Sequence, residues 1–121
     1  MPQSLANLYV HLIFSTKDRR PILSEKVRPD LHAYLATVLA NLDSPAIIIN
    51  SVEDHVHLLF KMSRTVTLAK VVEEVKKSSS KWLKTQSPEF EQFAWQAGYG
   101  GFSVSESNAG QVANYIRRQE E

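Results

Sequence analysis

The chain has no cysteine among its 121 residues. That excludes disulfides, thiolate metal centres and cysteine nucleophiles together, and a reducing cytosol is compatible with it. No apolar run approaches the ~18 residues needed to span a bilayer. Met1-Pro2-Gln3-Ser4 opens no signal peptide, so the sequence predicts a soluble, cytoplasmic protein. Charge of one sign is also scarce: 14 Lys and Arg against 13 Asp and Glu leave a formal net charge of +1. A strongly charged partner such as nucleic acid would have to be held by local patches, because there is no global field to hold it. Repeats, low-complexity tracts and linkers are missing too. The length suits one domain, since domains commonly run about 100–150 residues. A chain of this size buries roughly two-thirds of its unfolded surface and needs no staple.

What is present reads in alternating segments. Leu8 to Phe14 is rich in β-branched and aromatic residues and predicts a mostly buried strand ending at Ser15-Thr16. After the polar turn Lys17-Asp18-Arg19-Arg20-Pro21, Ser24 can cap a helix. Val27, Leu31, Tyr34, Leu35, Val38, Leu39 and Leu42 trace one face of it. Pro29 places the start of its regular part nearby. Ala46 to Val52 and His55 to Met62 are two strands joined by Glu53-Asp54, a hairpin. Thr67 opens a second helix that runs to about Thr85, and Asn108 to Gln119 reads as a last one. Between them, Phe93 to Ser105 carries Gly98, Gly100 and Gly101 among aromatics, which predicts short strands with a glycine-bent loop. The order β-α-β-β-α-β-α matches an α+β, ferredoxin-like (RRM-like) core with an added C-terminal helix.

Chemistry gathers at few places. His55 and His57 lie two apart on a strand, so both imidazoles share a face while Val56 points to the other. Two such nitrogens can ligate a divalent ion, although the spacing also fits two polar side chains on a half-exposed strand. Tyr115 and Gln119, four apart, lie on one side of the last helix with Val112 and Ile116. A tyrosine phenol can attack a phosphate polarised by a metal, and the same pattern fits an ordinary packing stripe. On the second helix Lys70, Lys77, Lys81 and Lys84 fall together opposite the apolar stripe, with Glu74 among them. They can track a phosphate backbone or form a solvated face. Lys17, Arg19 and Arg20 make a second candidate phosphate clamp. Trp95, Tyr99 and Phe102 could stack bases, with Trp95 the better candidate for a core plug.

Four segments in this order resemble the single-tyrosine HUH transposases of the insertion-sequence-200 type, including the REP-associated ones. They are Tyr9 to Arg20, Asp54-His55-Val56-His57-Leu58-Leu59, Trp95 to Ser105, and Asn114 to Glu121. The resemblance covers nearly the whole chain, as a single domain over 1–121. It implies that His55, His57 and Gln119 hold Mg²⁺ or Mn²⁺ against the scissile phosphate of single-stranded DNA. It further implies that Tyr115 attacks to give a 5′-phosphotyrosine and a free 3′-OH at hairpin ends. A homodimer whose tyrosine helix can complete the partner's histidine site in trans is implied as well, as is association with the nucleoid when DNA is bound. Members of that family commonly continue past this helix, whereas the sequence stops two residues beyond Gln119, which implies either a short member or a truncated product. The residues alone leave two other classes open, a non-catalytic nucleic-acid-binding module and a metal-dependent phosphodiesterase.

Overall fold

The structure is a computed structural model that describes residues 8–119. Strand β1 (Tyr9–Ser15) lies in the middle of a four-stranded sheet, between β3 (His55–Lys61) and β4 (Gly100–Val104). The order is β2-β3-β1-β4, with β2 (Ala46–Ser51) on the far edge and every pairing antiparallel. The helices are α1 (Arg28–Asn41), α2 (Leu68–Leu83) and α3 (Ala109–Arg117). This is the ferredoxin-like order that the sequence pattern predicts, with the extra helix at its end.

Period-two alternation divides the sheet into two faces. Val10, Leu12 and Phe14 of β1 and Val56, Leu58 and Phe60 of β3 are buried against α1 and α2, which contribute Leu31, Leu35, Leu39, Val71, Val75 and Leu83. The opposite face carries His11, His55, His57 and Leu59, and α3 seats Ala113 and Ile116 on Leu59. A sheet covered on both faces explains why β1 and β3 read as nearly continuous apolar runs.

The boundaries differ from expectation in three places. Ser24 is not the cap of α1. Its carbonyl accepts from the Val27 and Arg28 amides in a separate turn, and the helix starts beside Pro29. Thr67 does cap α2, its hydroxyl accepting from the Lys70 amide at 3.0 Å. The Phe93 to Ser105 segment forms one strand, preceded by an isolated bridge between Thr16 and Trp95. Trp95 is the plug. Its ring meets Phe14 and Phe93 edge-on, and its indole N–H donates to the buried Ser79 hydroxyl at 3.0 Å. Finally, α3 ends at Arg117, so Gln119 lies in the turn beyond it, its amide donating to the Ile116 carbonyl at 3.1 Å.

Candidate active site

A cavity of about 350 Å³ opens on the α3 face of the sheet, and His55, His57, Tyr115, Gln119 and Arg19 all line it. The hairpin supplies the histidines, α3 the tyrosine, and the turn after β1 the arginine. Tyr115 is adjacent to the anchoring Ile116 but 53% exposed, because only Ala113 and Ile116 point straight into the sheet. Its ring centroid is 6.0 Å from that of His57 and 6.4 Å from that of His11. One chain by itself therefore brings the tyrosine to the histidine pair. A side chain on β2 fastens the helix there: the Asn50 amide donates to the carbonyls of Ile116 at 2.8 Å and Arg117 at 3.3 Å. The Ile116 carbonyl also accepts from the Gln119 backbone amide in the turn beyond the helix.

Each histidine is held from behind. His55 Nδ1 is 2.7 Å from Asp54 Oδ1, and His57 Nδ1 is 3.0 Å from His11 Nε2. His57 is only 3% exposed, and its Nε2 is buried with no hydrogen-bond partner among the described residues. Burial lowers its pKa to about 4, assisted by the neighbouring His55 and His11, so at neutral pH it is an uncharged imidazole with a lone pair to give. Burial also lowers the pKa of His11. For Asp54 partial burial acts upwards, but the His55 hydrogen bond and the Arg19 charge outweigh it and hold the carboxylate ionised.

Arg19 reaches Asp54 at 3.3 Å from a strained turn. Asp18 and Arg19 both have positive φ, 58° and 53°, a conformation that costs a non-glycine residue roughly 1–2 kcal/mol. The turn is braced where the strain sits. The Asp18 amide donates to Gln96 Oε1 at 2.9 Å, and Thr16 Oγ1 donates to the Arg20 carbonyl at 2.8 Å. Across the cavity the Lys76 ammonium donates to the carbonyls of Gln96 at 2.8 Å and Gly98 at 2.6 Å, and its partial burial lowers its pKa. Gly98 has φ +91°, which favours glycine at that bend.

Most other residues singled out in the sequence lie apart from this cavity. Lys17 and Arg20 border a separate cleft of about 210 Å³ with Thr16 and Phe93. Lys70, Lys77, Lys81 and Lys84 are exposed on α2, across the sheet from α3. Lys70 and Lys77 both pair with Glu74, at 3.1 and 3.6 Å. Tyr99 lines the cavity, and Phe102 stands 57% exposed beside His11. Sequence reasoning did not single out His11, Asp54, Asn50 or Lys76 as site residues. Strand parity could have flagged His11, which shares a face with Ile13 opposite the apolar Val10, Leu12 and Phe14.

A divalent cation fits the donors in part. His55 and His57 each have Nδ1 engaged and Nε2 left over, as metal-binding histidines usually do. No group of three His, Cys, Asp or Glu suited to a metal occurs among the described residues, so a third donor would be of another type. Gln119 lines the same cavity, and because its side-chain N–H donates to the Tyr115 carbonyl at 3.1 Å, its amide oxygen is not used in that bond.

A phenol, two imidazoles and an arginine gather around one cavity, a set of groups that can act on a phosphate ester. The class of protein comes from comparison with known proteins. Residues 4–119 match the family described as transposase, IS200-like, and the chain belongs to that family. No curated protein matches the chain. Among solved structures, a protein from Deinococcus radiodurans R1 described as a transposase is 24% identical with a TM-score of 0.74, over 94% of this chain and 92% of that one. A REP-associated tyrosine transposase bound to a REP hairpin is 12% identical with a TM-score of 0.65, over 91% of this chain. This chain spans 64% of that protein's length. Both likenesses are of fold. Among the described residues no helix is long and apolar enough to cross a membrane.

The His57 environment makes stability depend on pH in the metal-free protein. Native His57 takes up its proton near pH 4 and the unfolded residue near 6.5. Between those values the unfolded chain binds more protons, so stability is full above pH 6.5 and falls as the pH is lowered. Urea unfolding in EDTA is expected to give about 2 kcal/mol less at pH 5 than at pH 7. The loss should be much smaller in His57→Gln, and equal losses in both proteins would contradict the buried neutral imidazole.

Proposed function

We propose that the protein cleaves and rejoins single-stranded DNA at hairpin ends, with Tyr115 as nucleophile. The observation that carries this reading is the convergence of Tyr115, His55 and His57 on one cavity within one chain. Tyr115 Oη forms a bond to phosphorus as the P–O3′ bond breaks. The phenol gives up a proton and the departing 3′ oxygen gains one. The products are a 5′-phosphotyrosine and a free 3′-OH, and attack by a 3′-OH on that link reverses the exchange. Phosphodiester replaces phosphodiester, so no ATP is needed.

His55 and His57, with Gln119, would hold Mg²⁺ or Mn²⁺. The ion's contribution would be to polarise a phosphate oxygen and neutralise developing charge. Arg19, drawn to the rim by Asp54, is placed to receive a neighbouring phosphate. Lys17 and Arg20 on the same turn, and Lys70, Lys77, Lys81 and Lys84 on α2, are proposed to hold the DNA backbone beyond the cavity. A hairpin is the proposed substrate because a tyrosine transposase similar in fold is bound to a REP hairpin. Action at the nucleoid in the cytoplasm follows from such a substrate. Homodimerisation is also part of the proposal, and in the single chain Tyr115 lines the same cavity as His55 and His57.

The test is incubation with a single-stranded hairpin and Mn²⁺ followed by a denaturing gel. Wild type is expected to give a covalent protein–DNA band, and Tyr115→Phe none while still binding DNA. His55→Ala and His57→Ala should each lose at least about tenfold in metal-dependent cleavage, and Gln119→Ala less, because water can replace an amide. Cleaved strands without an adduct would identify a phosphodiesterase, and no cleavage a binding module.

Salt dependence tests the lysines. Each lost phosphate contact should lower the log K–log[salt] slope by roughly 0.7 on single strands. Lys77 already spends charge on Glu74, whereas Lys81 has no carboxylate partner among the described residues. Lys81→Gln is therefore expected to flatten the slope more than Lys77→Gln. An unchanged slope in both would return the stripe to a solvated face.

A further inference from the structure

His11 has no role in the chemistry as proposed, yet it sits at the heart of the site. It is 8% exposed in the middle of β1, its ring stacks on His57 with centroids 5.2 Å apart, and it touches Tyr115. Packing alone would be served by an apolar side chain there, as it is at Ile13 on the same face. What an apolar side chain could not supply is the hydrogen bond of 3.0 Å between His11 Nε2 and His57 Nδ1.

One of those two nitrogens must carry the proton, and the choice decides what His57 offers to the cavity. If His11 donated, neutral His57 would carry its own proton on Nε2. That N–H would be buried without a partner among the described residues, a group of the kind that folded proteins seldom leave unpaired. If His57 donates from Nδ1, its Nε2 is a bare lone pair. His55 fixes the comparison. The Asp54 carboxylate can only accept, so the neutral form of His55 carries its proton on Nδ1 and leaves its lone pair on Nε2. The two rings present matching donor nitrogens only under the second assignment.

We propose that His11 is a positioning residue. It accepts the His57 Nδ1–H and so holds that ring in the tautomer whose Nε2 lone pair is available to a divalent cation, as Asp54 does for His55. The inference rests on reading His55 and His57 as metal ligands. It adds that a neutral imidazole on a different strand sets the chemistry of one of them. The register makes this contact available: His11 lies opposite Leu59, so His57 is its diagonal neighbour across the β1–β3 pair.

The experiment is a long-range ¹H–¹⁵N correlation on histidine-labelled, metal-free protein at pH 8, alongside Mn²⁺ titration followed by electron paramagnetic resonance. Wild type is expected to show His57 protonated on Nδ1 and to bind Mn²⁺. His11→Phe should move the proton to Nε2 and weaken Mn²⁺ binding about 10- to 100-fold. His11→Gln, whose amide oxygen can accept the same hydrogen bond, should recover part of that loss. A wild-type His57 protonated on Nε2 in a protein that binds Mn²⁺ would overturn the role of His11 and leave the metal reading standing. The Nδ1–H tautomer in a protein that binds no Mn²⁺ would overturn the metal reading, and the role given to His11 with it. Unchanged Mn²⁺ affinity in a folded His11→Phe would also overturn the role. Should that variant fail to fold, the wild-type spectrum still decides.

Discussion

The seating of α3 on Leu59 is the contact on which the rest of the site depends. Leu59 lies two residues after His57 on the same strand face, and Ile116 follows Tyr115 directly on the helix. Burying Ile116 and Ala113 against Leu59 therefore fixes the distance between tyrosine and histidines without any bond between them. The apolar contact is small, and burying an isoleucine of this kind stabilises by about 1.5–3 kcal/mol. Direction comes from the Asn50 amide, which engages the last carbonyls of α3 and holds its C-terminal end towards the cavity. A nine-residue helix is too short to be stable alone, so its conformation and its position are both products of this docking.

Around that contact the site is organised by pairing each reactive group with a support. Asp54 backs His55 and at the same time draws in Arg19, so one carboxylate serves the hairpin and the turn after β1. Lys76 does the equivalent for the far wall, using a partly buried ammonium to hold two backbone carbonyls of the bend before β4. The left-handed backbone at Asp18 and Arg19 is the visible cost. Strain of this sort persists where surrounding structure over-determines it, and such places are often functional. Here the result is an arginine held at the rim of the cavity.

Much of this was legible in the sequence, and the limits have physical causes. Strand parity was enough to put His55 and His57 on one face and Val56 on the other. Helical spacing placed Tyr115 near Gln119 and exposed the lysine stripe on α2. The resemblance in four segments also led to the right family. Helical spacing misjudged which residues anchor α3, because Ala113 is small enough to escape an apolar stripe and Tyr115 large enough to look like part of one. The left-handed turn at Asp18-Arg19 was hidden because neither residue is glycine. Asn50, Lys76 and His11 were missed because each acts on a segment distant in sequence. Asn50 meets α3 from 66 positions away and His11 meets His57 from 46, contacts that only strand order and register create.

The most direct measurement asks whether tyrosine and histidines of one chain work together. Tagged His57→Ala and untagged Tyr115→Phe proteins would be co-expressed and incubated with single-stranded hairpin DNA and Mn²⁺, with wild type as the positive control. Seating α3 on its own Leu59 predicts no more covalent DNA on the tagged His57→Ala chain than that variant forms by itself. A tagged adduct raised well above that level by the Tyr115→Phe protein would show its tyrosine acting at the histidines of another subunit, and would contradict the account.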